Sequence, residues 1–230
     1  MKDLVQNFTQ QLKEAKTIAE KAVVSNESTI HNILITGLGG SGIGGTIISE
    51  LISDSCKVPV LINKDYFLPA FVDKHTLVVI SSYSGNTEET ISVLDKAIAC
   101  GAQIVCVTSG GKVFESAKQH HFDFIQIPGG MPPRSCIGYC LVQLIKILVV
   151  KGFADAKLFS DLDATIGLLE KENDNIKSEA GKVATKLLHK IPVLYSLGVC
   201  EGVVFRFRQQ INENSKMLCW HHTFPEMNHN

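Results

Sequence analysis

Ser82, Ser84 and Thr87 surround Gly85 in the stretch Ser81-Ser82-Tyr83-Ser84-Gly85-Asn86-Thr87-Glu88-Glu89-Thr90. A run of β-branched and apolar residues, 76–80, precedes it, and a helical pattern over about 86–100 follows. A buried strand that enters a hydroxyl-rich turn and then a helix aims backbone N–H groups and the positive end of a helix dipole at one point. The hydroxyls add donors, and together these groups suit a phosphate. The turn holds no Lys or Arg, so an anion there would be bound by dipoles rather than by a salt bridge. A plain N-cap is the simpler account, since Ser, Thr and Asn are favoured at that position. A cap takes one such residue, however, not a cluster about a glycine.

The second chemically suggestive stretch is Gly37-Leu38-Gly39-Gly40-Ser41-Gly42-Ile43-Gly44-Gly45, with six glycines in nine residues. Gly37, Gly39 and Gly42 have the G-x-G-x-x-G spacing of a dinucleotide turn. A Rossmann site also wants an acid at the end of the following strand. The strand expected over 58–62 ends instead in Asn63-Lys64, with Asp65 beyond. A glycine turn that lets backbone approach a small ligand is the alternative, and a tight strand-to-helix turn with no ligand is the third.

Arg134, in the loop Pro128-Gly129-Gly130-Met131-Pro132-Pro133-Arg134-Ser135, sits at the start of an apolar helix. A cation there opposes the dipole, which makes sense if an anion is held nearby. A solvated Arg is the bland account. Ser135 is the expected cap of that helix. Glu213, in Gln209-Gln210-Ile211-Asn212-Glu213-Asn214-Ser215-Lys216, is a candidate base for a proton on carbon beside a carbonyl; a surface carboxylate has the same signature. His222, Glu226 and His229 fall at i, i+4, i+7, which invites zinc. Pro225 breaks a helix there and the H-E-x-x-H order is absent, so no metal site is assigned. His229 remains a candidate acid–base group near neutral pH, and His221 and His222 are read as structural.

The elements that must position these residues alternate between strand and helix. An amphipathic lead-in helix is expected over 3–24, then strands over 33–36, 58–62, 76–81, 103–107 and 122–127, with helices over 43–53, 86–100 and 113–120 between them. Such spacing describes an α/β protein with a doubly wound parallel sheet of five strands. Ligands in these sheets lie at strand carboxyl ends, where both the glycine and the serine turns fall. After a buried helix over 136–150 comes a polar helical region, 160–189. The strand–Gly–helix plan then restarts with 192–197, Gly198 and a helix over 201–210. The domains expected are therefore 1–153 and an incomplete α/β repeat over 154–230. One or two strands do not make a stable sheet, so more chain, or another chain, is expected to complete it.

The formal net charge of −1 comes from mixed signs, with 45% apolar and 20% charged residues. There is no basic block, which argues against nucleic acid and anionic membrane as partners. The longest apolar stretch, 136–150, is too short to span a bilayer. No apolar signal core follows Met1. The seven Cys form no Cys-x-x-Cys pair, and most of them read as buried thiols of a reducing cytoplasm.

Taken together, the glycine and serine stretches resemble the sugar isomerase (SIS) domain. Asn63-Lys64-Asp65-Tyr66-Phe67-Leu68-Pro69, Pro133-Arg134, Asn212-Glu213-Asn214-Ser215-Lys216 and Phe224-Pro225-Glu226-Met227-Asn228-His229-Asn230 make the chain similar, more narrowly, to bifunctional phosphoglucose/phosphomannose isomerases. The resemblance implies two SIS domains, the second partial here, and a sugar phosphate as the small-molecule substrate. It implies that Ser82, Ser84 and Thr87 hold the phosphate, that Gly39, Gly40 and Ser41 line the sugar site, and that Arg134 stabilises an enediolate oxygen. Glu213 would shuttle the proton, and His229 would open the sugar ring from across a homodimer interface. No cofactor or metal is implied. The family's C-terminal lysine cannot be placed in this chain. Two other functions compete: a sugar-phosphate sensor, which needs neither Glu213 nor His229, and a dinucleotide oxidoreductase, which leaves the serine turn unexplained.

Overall fold

The computed structural model describes residues 1–26 and 29–229. It falls into two compact units, Met1–Leu158 and Phe159–Asn230, taken separately below.

The first unit opens with α1 (Lys2–Gln6) and α2 (Phe8–Lys21). The lead-in helix expected as one piece is thus broken at Asn7, whose φ of −91° and ψ of 20° lie outside helical values. β1 (Asn32–Thr36), α3 (Gly39–Leu51), β2 (Val60–Asn63), β3 (Thr76–Ser82), α4 (Glu88–Ala99), β4 (Gln103–Thr108), α5 (Gly111–Gln119), β5 (Asp123–Gln126) and α6 (Ile137–Val150) follow. The strands form one five-stranded, all-parallel sheet in the order β2-β1-β3-β4-β5. β3 is buried along its whole length, as a central parallel strand covered on both faces must be. Leu34, Val78, Ile80 and Cys106 face Val93, Leu94 and Ala97 of α4 and Val113 and Ala117 of α5. On the other face a Cβ at Gly45 would stand 2.9 Å from Ile35 Cγ2, so α3 lies close on β1. Each fully buried Leu, Ile or Val contributes about 1.5–3 kcal/mol of transfer free energy, and continuous runs of them fix this sheet.

α3 begins at Gly39, four residues before the helix expected from position 43. Glycine is a poor helix former, so propensity pointed the wrong way. Packing decides it: a Cβ on Gly42 would collide with the Gly37 carbonyl. Ser135 does not cap α6 as expected. Its hydroxyl donates to the Pro132 carbonyl at 2.7 Å, inside a 3₁₀ turn, Pro133–Ser135, and α6 starts without a side-chain cap from its N-cap residue Cys136.

In the second unit the polar region is two helices, α7 (Lys157–Lys171) and α8 (Asn173–Leu187). β6 (Val193–Leu197) leads to α9 (Glu201–Gln210), a π-helical turn (Ile211–Ser215) and β7 (Trp220–Phe224). β6 and β7 pair in parallel, Leu194 opposite His221 and Tyr195 opposite His222. β7 was not expected from the sequence, because Trp-His-His-Thr-Phe lacks a clean alternation of apolar and polar residues. Val193, Tyr195 and Leu197, alternate residues of β6, are all exposed. No helix among the described residues is long and apolar enough to cross a membrane, and all seven cysteines are free thiols.

Candidate active site

The strand order reverses between β1 and β3, which pair with Thr36 opposite Ile80. In open α/β sheets that switch point opens a crevice at the strand carboxyl ends. The glycine turn leaves β1 there and the serine turn leaves β3. They are tied directly: the Tyr83 N–H donates to Ser41 Oγ at 3.0 Å. Ser41 is buried in the first turn of α3, while Gly39 lies exposed and Gly40 half-buried at its mouth.

Within the serine turn, Ser82 Oγ donates to Thr87 Oγ1 at 3.4 Å and accepts the Gly85 N–H at 3.2 Å. Ser84 Oγ accepts the Asn86 N–H at 3.2 Å. Thr87 occupies the N-cap position of α4 yet makes no side-chain cap bond. The simple capping account of this cluster therefore fails at the residue that should have done it. The first-turn N–H groups of α4 have no intrahelical acceptors, and they begin where Ser82, Ser84 and Thr87 converge. Gly85 has φ +66°, and a Cβ there would strike the Gly110 carbonyl, so the curl of the turn requires glycine.

Tyr83, between the two key serines, was not singled out from the sequence. It is buried, its carbonyl accepts both the N–H (3.0 Å) and the hydroxyl (2.6 Å) of Ser109, and its phenol oxygen accepts the Met131 N–H at 3.0 Å. One residue thereby joins the serine turn, the glycine turn, the loop after β4 and the loop that carries Arg134. Burial pushes its phenol up to about 12, so it stays protonated as a neutral strut. Arg134 sits in the 3₁₀ turn beside the glycine turn: a Cβ on Gly40 would lie 3.0 Å from the Pro133 oxygen and 3.6 Å from the Arg134 nitrogen. The structure thus gathers Gly39, Gly40, Ser41, Ser82, Ser84, Thr87 and Arg134 around one end of the sheet.

At the end of β2, where a dinucleotide site wants an acid, stands Asn63. Its amide donates to the Phe67 carbonyl at 3.0 Å and accepts the Asp65 N–H at 3.2 Å. Asp65 itself accepts the Tyr66 N–H at 2.6 Å. These side chains bond within their own loop, and the strand ends in Asn63 rather than in an acid.

Glu213 and His229 belong to the second unit. Glu213 is exposed in the π-helical turn that extends α9, a kind of irregularity frequent at functional positions. The turn is braced by amides: Asn212 Nδ2 donates to the Met217 carbonyl at 2.8 Å and Asn214 Nδ2 to Gln210 Oε1 at 2.8 Å. Lys216 follows in the left-handed region, φ 56°. His229 closes a 3₁₀ turn, Glu226–His229, after β7 and is exposed. His222 lies on β7 itself, so His222, Glu226 and His229 share no helix, and among the described residues no cluster of His, Cys, Asp and Glu could hold a metal. His221 stacks on Phe205, and burial, aided by Arg208, holds its imidazole below the ordinary value.

A five-stranded parallel sheet with a glycine turn and a serine turn at its switch point defines a doubly wound α/β protein. Comparison with known proteins narrows the class. A sequence model of the bacterial phospho-glucose isomerase C-terminal SIS domain matches residues 176–230. A bifunctional phosphoglucose/phosphomannose isomerase of Caldicellulosiruptor bescii is 39% identical over 100% of this chain and 70% of its own length. The protein of the same name from Thermoplasma acidophilum is 38% identical over 97% of this chain and 68% of its own. Among solved structures, the C-terminal domain of glucosamine-fructose-6-phosphate aminotransferase from Francisella tularensis superposes with a TM-score of 0.75 at 15% identity, covering 96% of this chain and 69% of that one; this last likeness is one of fold. The chain belongs to the bifunctional phosphoglucose/phosphomannose isomerase family.

Proposed function

We propose that the protein is an aldose–ketose isomerase that interconverts glucose 6-phosphate and mannose 6-phosphate with fructose 6-phosphate. The observation that carries this reading is 39% identity along the whole chain to a relative named for both activities. The serine turn and the free start of α4 are suited to the phosphate, with Ser82, Ser84 and Thr87 as donors. Gly39, Gly40 and Ser41 line the sugar. Anchoring at the phosphate orients the reacting carbons and makes the proton transfer effectively intramolecular. His229 opens the ring. The Glu213 carboxylate then takes the C2 proton of the open aldose. The C–H electron pair forms the C1–C2 double bond and the carbonyl oxygen becomes anionic, giving a cis-enediolate. Arg134 offsets that charge. Glu213 returns the proton to C1 while the O2 hydrogen passes to O1, which leaves the ketose. Mannose chemistry needs only the other C2 face offered to the same base. No metal or redox step enters.

The second unit is proposed to be part of a second SIS-like domain, with the boundary between the domains near residue 153. The match to a C-terminal SIS domain and the exposed apolar side of β6 support this, since two strands alone make no stable sheet. The proposed setting is a cytoplasmic homodimer, with His229 reaching the partner's site.

The test is a coupled assay with EDTA present, offering glucose 6-phosphate and mannose 6-phosphate separately and following fructose 6-phosphate. Turnover of both aldoses is expected. A chain that binds fructose 6-phosphate but turns over neither aldose would be a sensor instead.

A further inference from the structure

Gln11 lies on α2, far in sequence from every residue of the candidate site, and is 6% exposed. A buried primary amide is costly unless both its ends are bonded. Both are: Nε2 donates to the Ser135 carbonyl at 2.7 Å and Oε1 accepts the Gly138 N–H at 2.8 Å. Gly138 is the second residue of α6, so its N–H is one of the donors a helix leaves unsatisfied, and Cys136 at the N-cap supplies no side-chain cap. Gln11 therefore caps α6 from another helix. Its other bond holds the carbonyl of the residue that follows Arg134. The turn also lies close to Gly40, where a Cβ would stand 3.0 Å from the Pro133 oxygen. The turn is thus bonded to Gln11 and close to the glycine turn.

Glycine at 138 makes the reach possible, since a Cβ there would stand 2.7 Å from Gln11 Oε1 and 3.1 Å from Phe8 Cε2. Docking of α2 on α6 does not rest on Gln11 alone. Tyr139 donates to Glu14 at 2.5 Å, Gln143 Nε2 donates to the Ala15 carbonyl at 2.8 Å, and Leu12, Ala15 and Ala19 are buried. Of the two Gln11 bonds, the one to the Ser135 carbonyl acts on the Arg134 turn and the other on the start of α6.

We infer that Gln11 is a positioning residue for the reaction: it fixes the Pro133-Arg134-Ser135 turn so that Arg134 meets the charge that develops on the enediolate. This rests on the reading of Arg134 as the group that offsets that charge. The prediction is selective. Loss of Gln11 weakens binding of an enediolate mimic and leaves binding of a ground-state sugar phosphate unchanged.

Calorimetric titration of the full chain with phospho-arabinonohydroxamate, whose planar hydroxamate copies the enediolate, and with sorbitol 6-phosphate, which has no carbonyl, tests it. Arg134→Met is expected to lose roughly 100-fold in hydroxamate affinity. Gln11→Met is expected to lose about tenfold, and the double variant to bind no worse than Arg134→Met alone. Gln11→Glu keeps the acceptor for Gly138 but sets a carboxylate against the Ser135 carbonyl; it is expected to behave like Gln11→Met, and it serves where Gln11→Met does not fold. Equal loss of both ligands on changing Gln11, or additive losses in the double variant, would overturn the inference. So would normal hydroxamate affinity in both Gln11 variants while Arg134→Met is weakened. If Arg134→Met binds the hydroxamate normally, the Arg134 reading itself fails and takes the inference with it. A wild-type chain that binds neither ligand defeats the sugar-phosphate reading first.

Discussion

Glu213 owes its place to backbone irregularity. A regular helix continued past Gln210 would set each side chain 100° on from the last; the π-helical turn, braced by Asn212 and Asn214, shifts that phase and directs residue 213 differently from the face of α9. Glu213→Gln keeps the shape and removes the proposed base. Its turnover should fall by on the order of 10²–10⁴, the range typical for loss of a general base, with sugar-phosphate affinity kept; parallel loss of affinity in a titration would count against the proton-shuttle role. Thr87 gives a second, independent check. Its hydroxyl sits at an N-cap without capping, so Thr87→Val should leave unfolding free energy within about 0.5 kcal/mol, where a working cap would cost about 1 kcal/mol. Affinity for fructose 6-phosphate should drop about tenfold as one donor to the phosphate is lost. A stability loss without an affinity loss would return the serine turn to the capping account.

The helices differ in what holds them. α4 and α5 are fixed by apolar burial against the sheet, whereas α2 is held on α6 by polar bonds as well. The Tyr139 hydroxyl donates to Glu14, and that bond holds the Glu14 carboxyl below its ordinary value of 4.5. A depressed carboxylate contributes stability that is present above the unfolded value and lost as pH falls through the folded one. The melting temperature of Tyr139→Phe should therefore lie below wild type at neutral pH, by the equivalent of about 1 kcal/mol for a solvent-screened charged bond. The gap should close as pH drops below 4.5; a gap independent of pH would assign the loss to packing. The same helices show what a sequence can and cannot disclose. β1, β3 and β4 have apolar centres three to four residues long between polar ends, and their parallel pairing follows from the helices between them. α3 was placed too late because its first turn is glycine, chosen for contact with Gly37 and Gly40's neighbours rather than for propensity. Gln11 and Tyr83 escaped notice for a different reason. A Gln on an amphipathic helix and a Tyr in a turn carry no local signal, and their partners lie 124, 127 and 48 residues away. The hydroxyl cluster and the glycines could be found because their chemistry is local to a strand end.

Across the whole chain, the proposed binding residues and the proposed acid–base residues are carried by different units. The first unit has a complete sheet with covered faces. The second has two strands whose outer side shows Val193, Tyr195 and Leu197 to solvent, and the chain spans 70% of the length of its Caldicellulosiruptor bescii relative. If His229 passes into a partner's site as proposed, association becomes part of the chemistry. Two inactive forms then distinguish the arrangements. Glu213→Gln and His229→Asn, each dead as a homodimer, are co-expressed with different tags, and the mixed dimer is purified through both. If His229 acts in trans, one site of the mixed dimer pairs the intact Glu213 of one chain with the intact His229 of the other, while the second site carries both defects. Activity should then return to about half of wild type per dimer. If His229 acts within its own chain, each site keeps one defect and the mixed dimer stays inactive. Failure to recover any doubly tagged species would remove the dimer and the exchange together.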